Sequence, residues 1–307
     1  MNELKDEIFD ELQMADLSDP DDLVRQYESN GYLFFRGVLA EDDVLQVKED
    51  LVRVLQEQGL VKAGVKEPFW SGAGYDRVDD EALYALPSYV DLFERSTTRA
   101  FLEKVFKEPV FTARCVTIRY ALPNDPAHVS AAHQDGFYVP GISALRTLWV
   151  PLMAIDRKRA PLAIAAGSHK AGLLDHVEQQ DLDSYILKGR KQSGINWKEK
   201  NFTWLTADFQ PGDVLMFHRQ TVHRALPNNS DRIRLSLDTR CHPQTIAPTF
   251  QNQCTILELR RYRERAHQVA ETLQVDQTLF ETLILEMMAR GTPAEETAMQ
   301  KVLTELD

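Results

Sequence analysis

The sequence predicts a mainly β fold of the sandwich or jelly-roll kind, flanked by an N-terminal helical buttress and a C-terminal helical extension. Three observations carry that expectation. From Val110 onward the chain breaks into short β-rich runs; those runs are punctuated by turn-forming clusters; and helical apolar spacing appears only before and after them. Short strands closely followed by turns suit a jelly roll, whereas a Rossmann sheet would alternate its strands with helices. One domain over 1–307 is expected, made of a helical front section with loops (1–109), a β core (110–247) and a helical extension (248–307).

Each element has a local reason. Asp19 to Asn30 reads as a helix stopped at Asn30-Gly31, and Tyr32-Leu33-Phe34-Phe35 follows as a short strand. Glu41 to Gln58 places Val44, Val47, Leu51 and Leu55 at helical spacing and ends at Gly59. Residues 60 to 80 lack a period but hold Trp70, Gly72, Gly74 and Tyr75, the composition of an irregular loop with aromatic anchors. Strands are expected at Phe111 to Tyr120, Leu145 to Leu152, Leu162 to Ala165, Thr203 to Leu205, Val214 to Phe217 and Ile233 to Thr239. The turns between them include Leu122-Pro123-Asn124-Asp125, Gln210-Pro211-Gly212-Asp213 and Pro227-Asn228-Asn229-Ser230. After Pro248 three helices are expected, Thr255 to Leu273, Gln277 to Ala289 and Pro293 to Leu306, serving either as a packed cap or as a homo-oligomer surface.

Composition narrows the function. The 307 residues are 43% hydrophobic, enough for a substantial core, and the formal charge of -12 leaves no basic excess to neutralise nucleic-acid phosphates. Cys115, Cys241 and Cys254 are scattered without CxxC spacing, so neither a disulfide framework nor a zinc ribbon is indicated. Met1 through Pro20 is acidic and lacks the basic-then-apolar pattern of a leader, and no run reaches membrane-spanning length. The expectation is a cytoplasmic protein with a small-molecule partner and neither nucleic acid nor membrane.

The chemistry-bearing residues are His133-Gln134-Asp135, answered downstream by His223 and Arg234. Two imidazoles and one carboxylate can bind one face of a metal ion and leave the other open, the facial triad expected of non-heme Fe(II) oxygenases. On a strand, His133 and Asp135 would point the same way, since side chains two apart share a face. His218 is a rival to His223; the two are an odd number of positions apart, so on one uninterrupted strand they would face opposite sides. Arg234 shares a strand face with Arg232, Ser236 and Asp238, and its planar fork suits either a bound carboxylate or an internal salt bridge to Asp238.

With Leu148-Trp149-Val150-Pro151-Leu152, Pro161-Leu162, Gly167-Ser168-His169-Lys170 and Gly212-Asp213 in order between them, these motifs make the chain resemble the phytanoyl-CoA dioxygenase family from roughly Gly31 to Arg240. Its members are Fe(II)- and 2-oxoglutarate-dependent oxygenases on a double-stranded β-helix, a cupin-like jelly roll. The resemblance implies that His133, Asp135 and His223 hold iron, that Arg234 meets the distal carboxylate of 2-oxoglutarate, and that His218 is structural. It places Trp149 and Thr147 along the 2-oxoglutarate pocket, with Arg119 where it can meet the co-substrate or an acidic substrate. Phe137, Tyr138, Trp70 and Tyr75 are candidate substrate walls. Arg224 stands where the family commonly has a small residue, a cation for the substrate mouth. Ala160 and Ala166 replace a usual glycine and a usual proline, changing loop geometry more than iron binding.

The implied reaction uses O2 and 2-oxoglutarate to break a substrate C–H bond, with succinate and CO2 as co-products. Related halogenases carry a small residue in place of Asp135, so a carboxylate there implies hydroxylation or a related oxidation. Desaturation, epimerisation and ring formation would use the same triad. A small organic or secondary-metabolite substrate is expected, since no basic signature supports a CoA thioester. A zinc hydrolase would use the same three ligands but leaves Arg234 without a role. A non-catalytic ligand-binding or assembly member of the fold is the other alternative.

Overall fold

The computed structural model describes residues 9–138, 144–178, 186–187, 190–191, 193–246 and 255, so Cys254 and the expected helices after Pro248 lie outside the described residues, Thr255 apart. Two main sheets form the centre. The strands, in chain order, are β1 (Asp10–Glu11), β2 (Tyr32–Phe35), β3 (Val110–Thr112), β4 (Thr117–Ala121), β5 (Arg146–Pro151), β6 (Leu162–Ala165), β7 (Trp204–Thr206), β8 (Val214–His218), β9 (His223–Ala225) and β10 (Arg234–Pro243). A six-stranded sheet runs β2-β8-β5-β10-β3, with β4 also paired to β10, and a four-stranded sheet runs β1-β7-β6-β9. From β5 to β10 the chain passes back and forth between the sheets, and the pairings are antiparallel except β1 with β7. This is the jelly-roll arrangement.

Helices α1 (Pro20–Asn30), α2 (Glu41–Glu57), α3 (Asp80–Tyr84), α4 (Ser88–Glu94) and α5 (Ser96–Phe106) belong to the front section. Asp19 caps α1 by accepting from the backbone of Asp22, and Gly31 closes it in the left-handed conformation. The front section is more than a buttress, because it also supplies an edge strand to each sheet, β1 and β2. All four residues of β2 are buried, the pattern of a strand covered on both faces. Phe35 meets Phe101 of α5 edge-on at 5.1 Å, and Phe34 meets Phe209 at 5.4 Å. Phe209 in turn packs edge-on against Trp149 at 4.8 Å.

Two expectations change at the strands. The run Phe111 to Tyr120 is two strands, because the four residues between Thr112 and Thr117 answer only two on β10, between Cys241 and Asp238, and two extra residues bulge out. The last strand reaches Pro243, beyond the expected Thr239, because both β3 and β5 pair with its far end.

Candidate active site

His133 and His223 are brought face to face by the backbone. They form an isolated antiparallel bridge, each N–H donating to the other's carbonyl at 3.0 Å, so both rings project to the same side with centroids 4.2 Å apart. Asp135 reaches them differently from the expected strand geometry. It opens a short helix, α6 (Asp135–Tyr138), whose turn is fixed by Gly136 N–H donating to Arg219 O at 2.7 Å and by Arg219 Nη2 donating to Gly136 O at 3.1 Å. The ligand atoms of His133, Asp135 and His223 all lie within 4.8 Å of one another, and all three residues are buried.

The ring nitrogens are sorted for a cation. His133 Nδ1 faces Ala131 O at 2.7 Å and His223 Nδ1 faces Thr221 O at 3.0 Å, bonds that require the proton on Nδ1. Each Nε2 is left facing Asp135 Oδ1, 3.6 Å away in both cases. Burial, helped by neighbouring His133, pushes His223 down to about 4, keeping the imidazole neutral. Burial opposes ionisation of Asp135, but Arg240, His223 and His133 outweigh it and hold the carboxyl well below its usual range. Two imidazoles and a carboxylate fit a divalent transition metal.

His218 stays out of this group. The chain turns between β8 and β9, so the parity argument for an uninterrupted strand does not apply; the two histidines lie in different sheets. His218 Nδ1 accepts from Gln220 N–H at 3.1 Å, and its ring lies near Tyr27 and His169.

One pocket collects the triad with Arg119, Thr147, Trp149 and Arg234, and Phe217, Leu162 and Ala225 complete apolar parts of its wall. Alternation along β5 turns Thr147 and Trp149 inward together. Thr147 donates to Asp135 Oδ2 at 2.5 Å, so its hydroxyl serves the carboxylate of the triad directly. Arg234 donates from Nε to Ala160 O at 3.1 Å and from Nη1 to Ser236 Oγ at 2.8 Å, and burial lowers it to about 10, still a cation at neutral pH. The salt bridge weighed for it goes elsewhere, since Asp238 accepts from Arg119 Nε at 2.5 Å and Arg240 Nη1 at 2.6 Å.

The expected substrate walls divide. Phe137 and Tyr138 are 41% and 39% exposed and outside the pocket lining, with Tyr138 5.6 Å from the His133 ring and Phe137 stacked on His176 at 4.1 Å. Tyr75 packs against His128 at 3.9 Å and Tyr120 at 5.7 Å, outside the pocket lining but within electrostatic reach of Arg234. Trp70 is not brought in: its loop bridges Val61, and its Nε1 donates to Ala73 O at 2.8 Å. Arg224 is not brought in either. Because it alternates with His223 on β9, it faces the opposite side, its guanidinium over Trp197 at 3.9 Å and Trp204 at 4.6 Å.

Sequence reasoning passed over Gln134 and Arg240. Gln134 is fully buried; its side chain donates to Gly172 O and Gln220 O and accepts from Leu174 N–H, tying three loops behind the triad. No sequence period marks such a residue. Arg240 continues the alternation of Arg234, Ser236 and Asp238, a signal that was present but lay past the expected strand end.

Residues 27–236 match the family described as Phytanoyl-CoA dioxygenase (PhyH). The 1-deoxypentalenic acid 11-beta-hydroxylase of Streptomyces arenae is 35% identical over 236 residues, covering 74% of this chain and 82% of the relative. Among solved structures, the non-heme alpha ketoglutarate dependent carbocyclase SnoK from nogalamycin biosynthesis superposes with a TM-score of 0.53 at 19% identity, covering 81% of this chain and 94% of that one. The epimerase SnoN, solved with Fe3+, alpha ketoglutarate and nogalamycin RO, superposes with a TM-score of 0.52 at 21% identity, over 75% of this chain and 86% of that one. These likenesses show the same fold.

Proposed function

The chain belongs to the phytanoyl-CoA dioxygenase family, and from that membership we propose that this non-heme Fe(II)/2-oxoglutarate-dependent oxygenase hydroxylates a small organic, secondary-metabolite substrate. The observation that carries the reading is the convergence, in one pocket, of a three-ligand metal group and a buried guanidinium. His133, Asp135 and His223 would hold Fe(II), which with O2 and 2-oxoglutarate supplies the oxidising power for C–H cleavage and leaves succinate and CO2.

The chain's own residues do the positioning. Arg234 would meet the distal carboxylate of 2-oxoglutarate, with Ala160 O and Ser236 holding its fork in place. Trp149, Leu162 and Phe217 wall the pocket and limit water beside the metal. Arg119, held by Asp238, adds a second cation suited to a carboxylate of the co-substrate or the substrate. Tyr138, 5.6 Å from the His133 ring, and the neighbouring Phe137 would offer exposed apolar surface to a carbon skeleton. 1-Deoxypentalenic acid, for which the Streptomyces arenae relative is named, is therefore the first substrate to try.

The test is anaerobic. Fe(II) and 2-oxoglutarate added to the protein should give a visible absorption band from the chelate, and Asp135→Ala should weaken or abolish it. Absence of any band in the unmodified protein, under conditions where it is folded, would remove the proposal.

A further inference from the structure

Strand β10 carries a row of polar side chains of which the last, Arg240, has no role in the proposed function. Arg234, Ser236, Asp238 and Arg240 occupy alternate positions and face one side of the sheet, while Leu235, Leu237 and Cys241 are fully buried on the other. The row is bonded end to end in two segments. Arg234 donates to Ser236 Oγ at 2.8 Å; farther along, Arg240 donates from Nη1 to Asp238 Oδ1 at 2.6 Å and brings Nη2 to 3.1 Å from Asp135 Oδ2. Asp238 Oδ2 accepts from Arg119 Nε at 2.5 Å. The result is a chain of alternating charge, Asp135, Arg240, Asp238, Arg119, running from the metal ligand to the pocket wall.

Such a chain is a poor device for stability. Burying a guanidinium between two carboxylates costs desolvation that their attraction only roughly repays. Arg240 Nε also has no partner among the described residues. What the arrangement supplies is direction. Asp135 Oδ2 receives both the Thr147 hydroxyl at 2.5 Å and Arg240 Nη2 at 3.1 Å, while Oδ1 is the oxygen that faces the two histidine Nε2 atoms. A carboxylate can bind a cation through one oxygen or through both. Here the second oxygen is already engaged.

We propose that Arg240 is a positioning residue: together with Thr147 it occupies Oδ2 of Asp135, so that Oδ1 alone is offered to the metal and a coordination position stays available to 2-oxoglutarate. This rests on the reading of His133, Asp135 and His223 as the Fe(II) ligands. Asp238 completes the brace by fixing the other arm of the Arg240 fork, which a lysine could not present in the same way.

The experiment uses Co(II) in the metal-depleted full-length protein, because its visible bands report coordination without turnover. Arg240→Met should weaken Co(II) binding by about 10–100-fold, the usual effect of losing a partner behind a metal ligand. It should also alter the Co(II) bands before co-substrate is added and weaken 2-oxoglutarate binding to the Co(II) form. Arg240→Lys should fall between Arg240→Met and the unmodified protein, and Thr147→Val should shift in the same direction. A folded Arg240→Met protein with unchanged bands and unchanged 2-oxoglutarate affinity overturns the proposal. Where Arg240→Met does not fold, the Thr147→Val/Arg240→Lys double variant decides, and unshifted bands in it overturn the proposal equally. If the unmodified Co(II) protein itself gives no response to 2-oxoglutarate, it is the proposed function that fails.

Discussion

Ala160 holds the far end of the pocket at a cost. It is buried with a φ of 49°, in the left-handed region where an L side chain crowds the following carbonyl, and its own carbonyl accepts from Arg234 Nε at 3.1 Å. The strain is worth about 1–2 kcal/mol. Glycine would relieve it, but a glycine returns about 0.4–1 kcal/mol through the greater freedom of the unfolded chain. Ala160→Gly should therefore stabilise the protein by up to about 1 kcal/mol in a denaturant titration. Because the carbonyl remains, 2-oxoglutarate affinity should change less than about twofold, well under the tenfold that 1.4 kcal/mol would give. A destabilised variant would mean that packing of the buried methyl outweighs the backbone strain.

At the scale of elements, the junction of α1 and β2 is tied to the site through Gly31. Its N–H donates to Tyr27 O at 2.8 Å to close the helix, and its carbonyl accepts from His218 N–H at 2.9 Å and the Thr221 hydroxyl at 2.8 Å. Thr221 O in turn receives His223 Nδ1. Gly31 has a φ of 77°, and an added Cβ would lie 2.4 Å from His169 Nδ1 and 2.6 Å from Thr221 Oγ1. Gly31→Ala combines about 1–2 kcal/mol of left-handed strain with an overlap of about 1–3 kcal/mol. The expected result is a lower denaturation midpoint together with weaker metal binding, since Thr221 cannot move without turning the His223 ring. Loss of stability with metal affinity unchanged would sever that link. The sequence showed the stop at Asn30-Gly31 but not this second duty, because closeness to Thr221 and His169 exists only once the sheets are assembled. The same limit hid the β9 strand, three residues long, and the bridge that opposes His133 to His223. His133, Asp135, His223 and Arg234 were legible as residue types in order; the turn of α6 that aims Asp135 was not, nor was the outward face of Arg224, which follows from a strand too short to show a period.

For the whole molecule, the consequence is that one small site spans both sheets. His223 belongs to the four-stranded sheet, Thr147, Arg234 and Arg240 belong to the six-stranded sheet, and His133 and Asp135 sit on the connection between β4 and β5. Metal and co-substrate would therefore bridge residues of both sheets and of the connection between them. Among the described residues no helix is long and apolar enough to cross a membrane. A ligand that binds only the folded state stabilises it by about 2.7 kcal/mol at a hundredfold excess over Kd. At roughly 2–4 °C per kcal/mol for a large domain, that is a rise of about 5–10 °C in Tm. Mn(II) added to the metal-depleted protein should give the first increment and 2-oxoglutarate a second. The order matters, because without the metal 2-oxoglutarate would be left with the pocket's side chains alone, Arg234 first among them, and should shift Tm little. Asp135→Ala should lose both increments, whereas Arg234→Met should keep the Mn(II) rise and lose most of the second. Equal increments from 2-oxoglutarate with and without Mn(II) would show that it binds away from the triad, and the two-sheet site would not be one site.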